Sequence, residues 1–162
     1  NVEVSVDRDD RQTLLRASTI HSHFAEASKD FIHIDPHTAL CGWGLVTEPI
    51  SVGSSVQGVT AVMPLRAGSQ PLQAVLTMDL PLAAFVAQRL GAAPLQTGAE
   101  AGEATAECLN LLAGRMAGRL VTTHLTLGVP SVQDPGWQGE VIVKGAWRTA
   151  EGVLSMTVEA SR

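Results

Sequence analysis

One uninterrupted run of helix-forming residues constrains this chain more than anything else in it. Residues 97–123 read TGAEAGEATAECLNLLAGRMAGRLVTT, with no proline until Pro130. Alanine and leucine, both strong helix formers, dominate the run. Thr97 and Glu100 have the spacing of a capping box, a hydroxyl acceptor followed three residues later by a carboxylate. The pattern predicts a single long helix over 97–123. At about 100° per residue, Thr105, Cys108, Leu109, Leu112, Met116 and Leu120 share one side. That stripe is wide enough to lie on a core. Glu103, Glu107, Asn110, Gly114, Ala117 and Val121 fall on roughly the opposite side.

This second face is unusual. The outer face of a helix ordinarily carries lysine, glutamate and arginine, whereas here the acidic start gives way to Gly114, Ala117 and Gly118. A glycine inside a helix costs about 1 kcal/mol relative to alanine. Glu107 and Asn110 are three residues apart, so their side chains are neighbours. Small residues beside one carboxylate and one carboxamide leave room for another body to come close.

The rest of the chain supplies the core on which such a helix could rest. With 162 residues, 45% of them apolar and 17% charged, it is long enough for one globular domain, and 1–162 is read as a single domain. A net charge of −5 argues against nucleic acid or an anionic membrane as principal partner, and suits a partner with a basic group near its site. Cys41 and Cys108 make no disulfide framework. Cys108, in the apolar stripe, reads as a small buried residue. No run of apolar residues is long enough for a transmembrane helix, and no secretory signal pattern is present, so a cytoplasmic location is expected. A start at Asn1 rather than Met is compatible with a longer parent chain.

In chain order, residues 1–7 alternate like a short strand and 9–29 read as a helix with an acidic start. Residues 31–47 read as strand, turn, strand around Pro36, and 48–55 as a loop. VQGVTAVMPL (56–65) and PLQAVLTMDL (71–80) form a hairpin joined by RAGSQ (66–70). Asp79-Leu80-Pro81 opens a shorter helix that Gly91 stops. After the long helix, 128–136 is a turn-rich loop. GEVIVKGAWR and GVLSMTVEA make a second hairpin around residues 149–152. Strand pairs adjacent in sequence, with helices between the pairs, indicate an α+β fold with a largely antiparallel sheet.

Other chemistries find little support. His21, His23, His33 and His37 with Asp35 could suggest a metal. However, H-x-H on a helix points its two rings in different directions, and HIDPH has a proline between its ends. No metal is expected. Ser51, Ser54 and Ser55 lie in no nucleophile elbow. Trp43, Trp137 and Trp147 read as core or sheet-face anchors. No P-loop or dinucleotide glycine pattern occurs.

ECLNLLAGRMAGRL, with Glu107 and Asn110, resembles the E-x-x-N helix of the CheC, FliY and CheX chemotaxis phosphatases. E-x-x-N alone is common, and an exposed Glu and Asn on a helix are usually just solvated. The order of elements around the motif is more specific. A β-hairpin, a shorter helix, the motif helix with a glycine four residues after the asparagine, the loop GVPSV and a closing hairpin with a glycine turn all look like CheX. The similarity covers about 51–162, and one motif rather than two points away from the duplicated CheC pattern. Two departures stand out: Glu103, where relatives often carry Asp or Ser, and the first fifty residues, which do not visibly match the family's N-terminal helix.

The resemblance implies an α+β, CheC/CheX-like fold. It also implies removal of the phosphoryl group from the aspartyl phosphate of a CheY-like response regulator. In that role Asn110 would orient the attacking water and Glu107 would meet the receiver's lysine. Glu103, Gly114 and Ala117 would lie in the contact with the receiver. No cofactor of the chain's own is implied, because Mg²⁺ would come with the receiver, and a homodimer is compatible. A different class of function, a receiver-binding or flagellar-switch-like module without turnover, fits the same resemblance. A buried Asn110 would favour that alternative, and an exposed one catalysis.

Overall fold

The computed structural model describes residues 32–51, 56–91, 98–120, 124–133 and 139–161. The expected strand at 1–7 and helix at 9–29 lie outside the described residues. The elements are α1 (Pro36–Leu40), a 3-10 turn (Cys41–Trp43), β1 (Glu48–Ile50), β2 (Val59–Ala67), β3 (Gln70–Met78), α2 (Leu80–Arg89) and α3 (Gly98–Arg119). They are followed by β4 (Leu125–Leu127), β5 (Ser131–Val132), β6 (Glu140–Arg148) and β7 (Val153–Ala160). The strands form one sheet in the order β1-β6-β7-β3-β2-β4, with β5 also paired to β2. The pairings are antiparallel throughout. The architecture is α+β, as expected.

Both hairpins form. In the first, the strands run further into the connection than expected: Arg66, Ala67 and Gln70 are paired, leaving only Gly68-Ser69 as the turn. Gly68 has φ +63, which glycine adopts without steric cost. The second hairpin closes through Thr149, whose N–H donates to the Gly152 carbonyl at 2.8 Å, while its hydroxyl accepts from the N–H of Glu151 and Gly152.

One face of the sheet is fully apolar. Across β2, β3 and β7 the register aligns Ala61, Leu76 and Met156, then Met63, Ala74 and Val158, and all six are buried. The other face carries polar cross-strand pairs. Thr60 and Thr77 hydroxyls lie 3.0 Å apart, and Gln73 donates to Glu159 at 3.1 Å. Hydrophobic-in, polar-out alternation of this kind is what fixes strand register.

α2 begins as expected. Asp79 caps it by accepting from the Leu82 N–H at 3.1 Å, with proline in the first turn, and the chain leaves the helix at Gly91 with φ +93. The second Asp79 oxygen accepts from the Val153 N–H at 3.0 Å, so one carboxylate joins the helix start to β7. α3 packs against α2 and lies over β2, β3, β4 and β5. Its Ala101, Ala104, Thr105, Cys108, Leu109, Leu112, Ala113 and Met116 are buried, and the Thr105 hydroxyl is satisfied by the Ala101 carbonyl at 2.8 Å.

Three expectations need correction. Residues 36–43 are helical rather than strand, because Asp35 caps α1 through the Thr38 N–H at 3.1 Å and Pro36 is preset for the first helical turn. Gly44, at φ +81, then ends the 3-10 turn. The stretch expected as a loop at 48–55 contains β1, which pairs with β6 through Glu48↔Arg148 and Ile50↔Ala146. Pro49 is tolerated there because β1 is an edge strand. Finally, α3 ends at Arg119 rather than at 123, and Leu120, expected inside, is half-buried beyond the last turn. Thr97 and Val121 lie outside the described residues.

Leu112 is 1% exposed, at the centre of the α3 stripe. Leu112→Ala should lower the unfolding free energy in urea by about 2–5 kcal/mol. A change below ~0.5 kcal/mol would mean that this side of the helix is not core.

Candidate functional site

The inward stripe of α3 fixes what its other side presents. Measured from buried Gly102, Ala117, Asn110, Glu103, Gly114 and Glu107 follow around the axis at roughly 60°, 80°, 100°, 120° and 140°. Glu103, Glu107, Asn110 and Gly114 are exposed, and Ala117 is half-exposed. All five residues singled out from sequence therefore share one open strip. Among the described residues, the side chains of Glu103, Glu107 and Asn110 make no hydrogen bond and no ion pair. Glu103 and Glu107 are one turn apart, a like-charge arrangement that weakens a helix by a few tenths of a kcal/mol (about 0.2–0.5) unless a cation joins it.

The glycines of α3 divide into two kinds. A Cβ on Gly102 would stand 3.0 Å from Val132 of β5, so this glycine is small because β5 lies on it. A Cβ on Gly114 or Gly118 would meet nothing within 4 Å. Packing among the described residues gives no reason for these two, which leave bare helix backbone beside Glu107 and Asn110.

The neighbourhood excludes some chemistry. Cys108 follows Glu107 but points inward; burial, with the Glu107 charge adding to it, pushes its thiol up to about 12. It is no nucleophile at neutral pH. Among the described residues no three His, Cys, Asp or Glu side chains are grouped to hold a metal ion; His33 and His37 are exposed. His21, His23, Ser54, Ser55 and Trp137 lie outside the described residues. Trp43 is half-buried, and Trp147 lays its ring over Gly145, where a Cβ would come within 2.6 Å of it. No helix among the described residues is long and apolar enough to cross a membrane.

Sequence reasoning missed what anchors the end of α3. Arg119 donates to Asp35 at 2.8 Å, tying the last turn to the cap of α1. The Thr38 hydroxyl, then its N–H, and then Arg119 hold the Asp35 carboxyl below the usual carboxylate range against the opposing effect of burial. A lowered folded-state value stabilises the fold above the ordinary carboxylate range, and that contribution is lost as pH falls through the lowered value.

No family model and no curated protein matches the sequence. Solved structures do match the fold. CheX from Vibrio vulnificus superposes with a TM-score of 0.65 at 15% identity, over 78% of this chain and 91% of that one. CheX from Desulfovibrio desulfuricans gives 0.64 at 16%, over 84% and 99%. The chain has the CheX fold. A third structure with this fold is the complex of CheX with CheY, BeF3 and Mg²⁺ from Borrelia burgdorferi, at 0.57 and 17% identity, over 80% of this chain and 100% of that one. CheC-like proteins share the fold as well.

Because Gly114 supports nothing within the CheX fold itself, Gly114→Ala should stabilise the isolated protein by about 0.5–1 kcal/mol in urea. Destabilisation would show that the position is crowded rather than open.

Proposed function

We propose that this chain is a phosphatase that hydrolyses the aspartyl phosphate of a CheY-like receiver domain in chemotaxis signalling. The observation that carries the reading is Asn110. It is exposed, with no side-chain partner among the described residues, on the open strip of a helix whose other side is core, in a fold shared with a CheX that was crystallised with CheY. Exposure of Asn110 favours turnover over the non-catalytic binding module.

The chemistry asks little of the protein beyond positioning. An aspartyl phosphate with its own metal and lysine needs a water held in line and no extra negative charge beside it. A carboxamide suits this, since its oxygen can accept from the water while its NH₂ donates. Glu107, one turn earlier, pairs with the receiver's lysine and sets the register, with Glu103 extending the acidic strip. Gly114 and Ala117 let the receiver's surface settle against the helix. Holding the water and phosphoryl group in line converts binding into rate. The metal is expected on the receiver, none on this chain, and the setting cytoplasmic.

Asn110→Ala should leave stability within about 0.5 kcal/mol, because the side chain is exposed. Turnover on a receiver pre-labelled with a small phosphodonor should fall by about 100-fold or more, with modest loss of binding. Glu107→Ala should weaken the complex as well, and Glu107→Lys should be worse, since it sets two cations together. Wild-type rates from Asn110→Ala, on a receiver that the wild type dephosphorylates, would rule this mechanism out.

A further inference from the structure

The loop between β4 and β5 joins two strands on which α3, the helix of the proposed site, packs. β5 pairs Val132 with Ala61, and β4 pairs Leu127 with Leu65, so residues 128–130 run along β2 between those points. The loop is pinned. The Gly128 N–H donates to the Pro64 carbonyl at 2.8 Å, and a Cβ on Gly128 would come within 2.7 Å of both the Pro64 ring and that carbonyl. Pro64 lacks an N–H at the place where the outer side of β2 passes from β5 to β4.

The level of this loop along α3 follows from two contacts. Val132, paired to Ala61 near the start of β2, lies on Gly102 in the first turns of α3. The helix ends at Arg119, close in sequence to Leu125, which pairs Ala67 at the end of β2. α3 packs on both β4 and β5, so helix and β2 run in the same general direction. Three strand residues back from Val132 to Val129 span about 10 Å. α3 covers that distance in about six to seven residues, which from Gly102 reaches the turn holding Asn110. Asn110 also lies on the Gly102 side of the open strip, nearest β5. Val129 is 80% exposed on this pinned loop, and Val132 is 50% exposed. Leu111, 36% exposed, borders the other side of the strip. Apolar residues thus flank both sides of a polar centre that carries the carboxylates of Glu103 and Glu107, neither paired among the described residues, as in an interface meant for a body with a cationic site.

We propose that Val129 is an apolar contact for the receiver domain and helps to select which receiver docks over Asn110. This rests on the phosphatase reading. The contact lies off the reacting atoms, so it acts on affinity and KM rather than on kcat.

The test measures binding to, and dephosphorylation of, one receiver that the wild type acts on, with BeF3 holding it in its activated state for the binding arm. Val129→Ala should weaken binding and raise KM about 3- to 10-fold, the scale of two partly buried methyl groups, with kcat unchanged. Val129→Asp should weaken both by more than about 10-fold, since it would bury a charge beside the acidic strip. Thermal unfolding of each variant should match the wild type, and if Val129→Asp is unstable, Val129→Ala decides. Val141→Ala, on β6 and separated from β2 by β7 and β3, should bind as the wild type does. If Asn110→Ala loses turnover while Val129→Ala binds with wild-type affinity, this inference falls and the phosphatase reading stands. If the wild type binds no activated receiver, both fall.

Discussion

The burial of Leu109, Leu112 and Met116 against the sheet is the interaction on which the rest depends. It sets the rotation of α3. Every residue about 100° further around the helix is thereby assigned to core, border or open strip. A helix slipped by one position, so that Leu111 came into the strip, would put Asn110 where buried Leu109 now sits. Core packing thus aims a carboxamide and a carboxylate outward from a rigid support, the arrangement that the proposed function requires.

That support is braced at three places by short-range polar contacts. Asp79 joins the start of α2 to β7 with both carboxylate oxygens. Arg119 joins the end of α3 to the cap of α1. Gly128 and Pro64 lock the loop that carries Val129. Ion pairs elsewhere do less: Arg148 and Glu48 lie 3.5 Å apart with both side chains more than half exposed, a geometry worth at most about 1 kcal/mol.

Much of this arrangement was legible in the sequence because its signals are local. The two hairpins announce themselves through valine-rich runs around Gly68 and Gly152, α2 through Asp79, Pro81 and Gly91, and α3 through its apolar period. The period also placed Glu103, Glu107, Asn110, Gly114 and Ala117 on one side. Where the reading failed, the deciding partner was distant or a local signal was outweighed. β1 is three residues long and exists because β6 is there to pair with it. Asp35-Pro36 carries the same start signal as the Asp79 cap, but valine, leucine and tryptophan nearby suggested strands instead. Arg119 and Asp35 are 84 positions apart, and the inferred level of Val129 along α3 rests on the register of β2 with β4 and β5.

The central claim is that an activated receiver sits on the open strip of α3 with its phosphoryl site at Asn110. Titrating isotope-labelled protein with a receiver activated by BeF3 and Mg²⁺, followed by amide and side-chain NMR shifts, tests it most directly. The account predicts the largest changes at the Asn110 side-chain NH₂ and along Glu103–Gly118, with little change at β1 and β6. Shifts concentrated on β1 and β6, with the Asn110 side chain unmoved, would contradict it.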